Sequence, residues 1–208
     1  MTAAEAAAAR AVVRKRGRPR DAAVDRRILE ATIESLAEDG YDELSIEGVA
    51  ARAGVGKTTV YRRWPSKVPL VVDALAHTHM RVPAVGSIPE DATTREALRR
   101  ILEGLIKLVR TDPADRILAG LVHQSSRSPE LAEAMRGAVL NKRRAVVFDL
   151  IERGIERGEV RPDLDVELVA DVLGGPIFMR ILLTGAPVKP RLAREIVDLV
   201  LDGAAVRQ

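Results

Sequence analysis

Wherever apolar residues recur along this chain, they do so at helical spacing. Leu29, Ile33, Leu36 and Ala37 stand at i, i+4, i+7 and i+8, which predicts an amphipathic helix beginning after about Asp21. It ends at Gly40, the residue type that most readily closes a helix. In "LSIEGVAARAGVGK", Ser45 is placed to cap a short second helix with Ile46, Val49, Ala50 and Ala53 inward, and Gly54 ends it. Thr58 to Trp64 reads as a third helix whose Val60 and Trp64, four apart, point to the core. Pro65 stops it. Ser66 then caps a fourth helix that tolerates Pro69 in its first turn and runs to about His79.

"MRVPAVGSIPEDAT" is broken by Pro83, Gly86 and Pro89 and reads as a linker. Helical periodicity resumes at Thr94 to Arg110, with Leu98, Ile101, Leu102, Leu105 and Leu108, and a shorter helix follows Pro113. A long helix is expected from Pro129 to about Gly158, then Val166 to Thr184 and Arg191 to Val206. Pro176 inside "GGPIFMR" should bend or interrupt its helix. No period-2 strand and no internal repeat stands out. The expected fold class is all-α.

Composition narrows the chemistry. The chain has 208 residues and no cysteine, which excludes disulfides, thiolate metal sites and a cysteine nucleophile and suits a reducing cytoplasm. No run of about 18 apolar residues occurs, so no membrane span is expected, and the alanine-rich start lacks a signal-peptide core. The net charge of +3 is small, but its distribution is uneven. Six basic residues and no acidic one lie between Arg10 and Arg20, and nine carboxylates against two arginines follow from Asp21 to Glu47. Arg52, Lys57, Arg62, Arg63 and Lys67 then come with no acid before Asp73. Two basic clusters around an acidic helix are the footprint of a surface that meets phosphates; a merely solvated surface is the alternative.

"GVGKTTVYRRW" sharpens the choice. A phosphate-cradling P-loop needs a glycine five positions before Gly56, where Ala51 stands, and it should follow a buried strand rather than a short helix. A short helix, a tight turn at Gly54 to Gly56 and a second short helix with outward Thr, Tyr and Arg instead fit a helix-turn-helix. From Asp21 to about His79, "ILEATIESLAEDGYDELSIEGVAARAGVGKTTVYRRWPSK" resembles the TetR family of transcriptional regulators nearly throughout. Where that family has acidic residues after Ser-Lys, this chain has "SKVPL".

The resemblance implies a basic arm over 1–20, a three-helix DNA-binding domain over 21–67, a connecting helix over 68–80, and a helical effector-binding and dimerisation domain over 81–208. It implies that Lys57, Thr58, Thr59 and Arg63 face base edges or nearby phosphates, that Tyr61 touches the DNA backbone, and that Lys67 meets a phosphate. Ser45 would meet another from a helix N-terminus. Arg62 faces outward beside them. Arg can read guanine and a Thr methyl can pack on thymine, so the residue types suit major-groove reading. "RKRGRPR" resembles an AT-hook, with Arg16, Arg18 and Arg20 placed for a narrow minor groove; a solubilising tail is the alternative.

The last two helices carry broad apolar faces, Val166, Val169, Ala170, Leu173 and Ile177 in one and Leu192, Ile196, Leu199 and Val200 in the other, which could pair with a second copy as a four-helix interface. A polar patch at "HQSSR" with His123 and Gln124, and the apolar residues Leu118, Phe148, Phe178 and Met179, are candidates to line a pocket for an apolar small-molecule effector. An exposed helix terminus is the alternative for the patch. His77 and His79 are two apart and diverge on a helix, so no metal site, cofactor or catalytic group is expected. The expected function is a repressor released from a palindromic operator by a small molecule. The alternative is a DNA-binding or architectural protein without an effector.

Overall fold

The computed structural model describes residues 22–79, 88–89, 91–111 and 113–203, and all regular structure among them is helical. The arm with Arg16, Arg18 and Arg20 lies outside the described residues. Helix α1 spans Ala22–Glu38, and a single turn, α2, follows at Gly40–Glu43. Then come α3 (Ile46–Arg52), α4 (Lys57–Tyr61) and α5 (Lys67–His79). Downstream are α6 (Thr94–Val109), α7 (Ala114–Ser125) and α8 (Pro129–Met135). Helix α8 passes through a π turn at Arg136–Leu140 into α9 (Asn141–Glu156). Helix α10 (Val166–Met179) ends in a second π turn at Arg180–Thr184, and α11 is Leu192–Asp202.

Local chemistry sets many of these boundaries. Ser45, Ser128 and Asp165 each accept a hydrogen bond from the amide three residues on, satisfying donors that a helix start leaves open. Thr93 and Glu96 form a reciprocal capping box at the start of α6. Helix α10 continues through Pro176, which has no amide hydrogen to give the carbonyl four residues back, and passes into the π turn that follows.

Packing divides the helices into two cores, and the division does not follow chain order. The first gathers Ile28, Leu36, Val49, Val60, Trp64, Leu70 and Val71 from the N-terminal helices, and to these it adds Ile117 and Leu121 of α7 and Leu131 of α8. The second joins α6, α9, α10 and α11 through Leu98, Leu102, Ile106, Ile151, Leu173, Ile177, Ile196 and Val197. The helix running from α8 into α9 therefore serves both, with Leu131 in one core and Leu150 and Ile151 in the other. Arg95 fastens α6 to α11 by reaching Asp198 and Asp202, each at 2.6 Å.

The predicted stripe of α1 faces the first core, with Leu29 and Leu36 buried and Ile33 and Ala37 packed half-buried against it, and the buried face extends to Ile28, Thr32 and Ser35. Thr32 is tolerated inside because its hydroxyl donates to the Ile28 carbonyl at 2.8 Å. On α10 and α11, Val169, Leu173, Ile177, Leu192 and Ile196 fill the protomer's own core and are not available to a partner. The apolar residues left outside are Leu168, Val172, Met179 and Leu183 along α10 and its π turn, and Leu199 on α11.

Candidate nucleic-acid interface

Helices α3 and α4 are joined by a turn whose geometry the backbone dictates. Gly54 takes a φ of +64°, its amide donates to Ala51 O at 3.1 Å, and the Val55 amide donates to Ala50 O at 3.0 Å. That pair of bonds is a Schellman closure, and a side chain at Gly54 would be strained in that conformation. Gly56 then opens α4. Val60 is wholly buried and Trp64 nearly so, and the indole Nε1 donates to Asp73 Oδ2 of α5 at 2.8 Å. These two residues clamp one side of α4 to the first core. The opposite side is turned to solvent.

On that outer side Lys57, Thr58, Tyr61 and Arg62 are exposed and Thr59 is half-exposed. The Tyr61 hydroxyl donates to Glu47 Oε1 of α3 at 3.0 Å, and this bond to a carboxylate raises the phenol above its ordinary value. Ser45 is exposed at the start of α3, where its Oγ accepts from the Gly48 amide at 3.1 Å and its own hydrogen stays available. Arg52 points away from this face, to Glu38 at 2.5 Å and Glu34 at 3.8 Å on α1.

Arg63 and Lys67, unlike Lys57 and Arg62, are engaged by partners within the protein. The Arg63 side chain is only 9% exposed and is ion-paired to Asp25 of α1. Its Nη1 also donates to the Thr59 carbonyl at 3.2 Å. The Lys67 ammonium donates to the carbonyls of Tyr41 and Asp42, at 2.8 and 3.0 Å, and lies 4.6 Å from the centre of the Tyr41 ring. Asp25, Tyr41 and Glu47 thus bear on this surface although sequence reasoning singled out none of them. No spacing rule relates Asp25 to a residue 38 positions away.

The candidate effector residues are less united. Leu118, Gln124, Phe148 and Phe178 are half-buried, while His123 is exposed. Met179, 51% exposed, belongs to the outward stripe with Leu168, Val172 and Leu183, because spacings of four and seven residues bring these to one helix face. An open groove of about 480 Å³ lies elsewhere, bounded by Glu103, Ile106, Lys107, Arg110 and Pro190, and none of the six candidates lines it. Arg144 of α9 stands over the Phe148 ring at 5.5 Å and pairs with Asp171 of α10.

Residues 28–74 match the model of bacterial regulatory proteins of the tetR family, and residues 88–200 match that of the tetracyclin repressor-like C-terminal domain. The HTH-type transcriptional regulator YdeS of Bacillus subtilis (strain 168) is 34% identical over 193 residues, covering 91% of this chain and 93% of that protein. The HTH-type transcriptional regulator AqdR of Rhodococcus erythropolis is 32% identical, covering 91% and 89%. Among solved structures, the TetR family transcription regulator SCO0332 has a TM-score of 0.72 at 31% identity, covering 88% of this chain and 99% of that one. The regulator FadR of Bacillus subtilis in complex with stearoyl-CoA has a TM-score of 0.71 at 22% identity, covering 86% and 99%.

Proposed function

The chain belongs to the TetR family of bacterial regulators and is a DNA-binding transcriptional regulator, and on that premise we propose that it is a homodimeric repressor which a small molecule releases from a palindromic operator. The observation that carries this reading is the outer face of α4, where Lys57, Thr58, Tyr61 and Arg62 are exposed while Val60 and Trp64 hold the opposite side in the core. A helix so mounted can enter a major groove about 12 Å wide. Lys57 and Arg62 then neutralise phosphates or read guanine, the Thr58 and Thr59 methyls pack on thymine, Ser45 offers its hydroxyl hydrogen to the flanking backbone, and Tyr61, whose hydroxyl hydrogen Glu47 holds, packs against that backbone.

Reading two half-sites about one helical turn apart requires a two-fold protein. The exposed apolar stripe of Leu168, Val172, Met179 and Leu183, with Leu199 beside it, supports a partner copy on α10 and α11. The effector is an apolar small molecule in the body built from α6 to α11, with Leu118, Phe148 and Phe178 as lining candidates. An effector acts here only by binding the released conformer more tightly than the DNA-bound one. Arg16, Arg18 and Arg20 of the basic arm add minor-groove contacts beside each half-site.

Sequencing the fragments of sheared genomic DNA that the purified protein retains tests the reading, with enrichment of one inverted repeat expected. Retention without any enriched sequence would overturn it. Thermal stability against a small-molecule library identifies the effector class, since a ligand of the native state raises the melting temperature.

A further inference from the structure

The cations around α4 fall into two sets. Lys57 and Arg62 are exposed, whereas Arg63 and Lys67 are half-buried and already engaged inside the protein. The Nε of Arg63 and the Oδ1 of Asp25 face each other, both shielded from solvent, across the junction of α1 with the end of α4. Lys67 closes a different junction. Its ammonium takes two backbone carbonyls of the single turn α2, groups that a helix end leaves without intrahelical partners, and it rests on the Tyr41 ring. Helix α4 has only five residues, too few to hold a helical shape or a fixed attitude by its own hydrogen bonds. Its orientation must come from what ties it down.

We propose that Arg63 and Lys67 are positioning residues that fix the tilt of the recognition helix, by tying its C-terminal end to Asp25 and the start of α5 to α2, and that neither gives the duplex a phosphate contact. For Arg63 to reach a phosphate it would have to abandon a carboxylate whose facing oxygen is shielded, leaving a partly desolvated charge without its partner. For Lys67 the same move would uncover two carbonyls. Exposed phosphate contacts, by contrast, mainly exchange one counterion for another. The inference rests on the reading that α4 enters the groove.

The test uses the full-length protein and the duplex that the wild type selects from a random library, with affinity measured across a range of KCl concentrations for Asp25→Asn, Arg63→Gln, the double variant and Lys67→Met. Circular dichroism confirms folding of each. We expect Asp25→Asn and Arg63→Gln each to weaken binding by roughly tenfold at every salt concentration, about 1.4 kcal/mol. The double variant should be no weaker than the single ones, and Lys67→Met should also leave the slope of log K against log[KCl] unchanged. Were these residues phosphate ligands, each substitution would flatten the slope of the dimer by about 1.8, two contacts at about 0.9 each. Asp25→Asn would then free Arg63 and tighten binding. The sign of the Asp25→Asn effect decides the matter even if Arg63→Gln fails to fold. A wild-type chain that selects no duplex would overturn the reading of α4 and this inference with it. A wild type that binds, with Asp25→Asn tighter and steeper or Lys67→Met flatter, would overturn the inference alone.

Discussion

Leu131 lies well beyond the match to the DNA-binding domain, yet it is completely buried in the core that holds Val60 and Trp64. Truncating it to alanine tests whether the DNA-binding body is thermodynamically complete without the helices that follow. At a site with no solvent exposure, Leu→Ala loses transfer energy and leaves a cavity, together about 3 to 5 kcal/mol. At about 2–4 °C per kcal/mol for a chain of this size, the melting temperature should fall by at least roughly 6–12 °C. Trp64 is the only tryptophan and sits in the same core, so its fluorescence follows that core while far-ultraviolet circular dichroism follows all the helices. Both transitions should move down together in Leu131→Ala. If the tryptophan transition stays at the wild-type temperature while the dichroism transition falls, α8 contributes nothing to the first core and the reasoning fails. A joint shift would mean that a fragment ending near residue 80 loses the cover that Ile117, Leu121 and Leu131 provide.

Two further outcomes follow from other contacts. Glu159 accepts the backbone amide of Thr94 at 2.5 Å, and this bond holds its carboxyl below the ordinary range, helped by Arg157 at 3.4 Å. Because the folded value is depressed, the stabilisation is fully present above the ordinary carboxylate range and is lost as pH falls through the lowered folded value beneath that range. Thermal melts should show Glu159→Gln less stable than wild type at neutral pH, with the gap closing in acid; a gap independent of pH would contradict the assignment. Val172→Glu places a charge in the middle of the exposed apolar stripe, and in a two-fold interface the change appears twice. Sedimentation should show a one-chain mass where the wild type shows two, and an unchanged dimer would move the interface elsewhere.

What the sequence determined by itself was local. Ser45 and Ser128 announce their helices because capping needs only a hydroxyl three residues ahead of an amide. Gly54 announces the turn because few other residues accept its backbone angles, and Val60 and Trp64 declare the buried side of α4 because one helix face must be apolar. These features sufficed for the all-helical class and for the exposed face of α4.

The tertiary structure decided which face meets which. Periodicity shows that Leu173 and Ile177 are covered, but not that their own protomer covers them and leaves Val172 and Met179 outside. It likewise leaves open that Leu131 belongs with Trp64 rather than with Leu150. Charge is harder still, since an arginine reads alike in the sequence whether it reaches for solvent or for a carboxylate 38 positions away. Arg62 and Arg63 are neighbours in the chain, and only the packing of α1 against the end of α4 makes one free to meet a duplex and the other a tie. Contacts between distant segments depend on the chain's path through space, and that path is settled by the simultaneous burial of every apolar face.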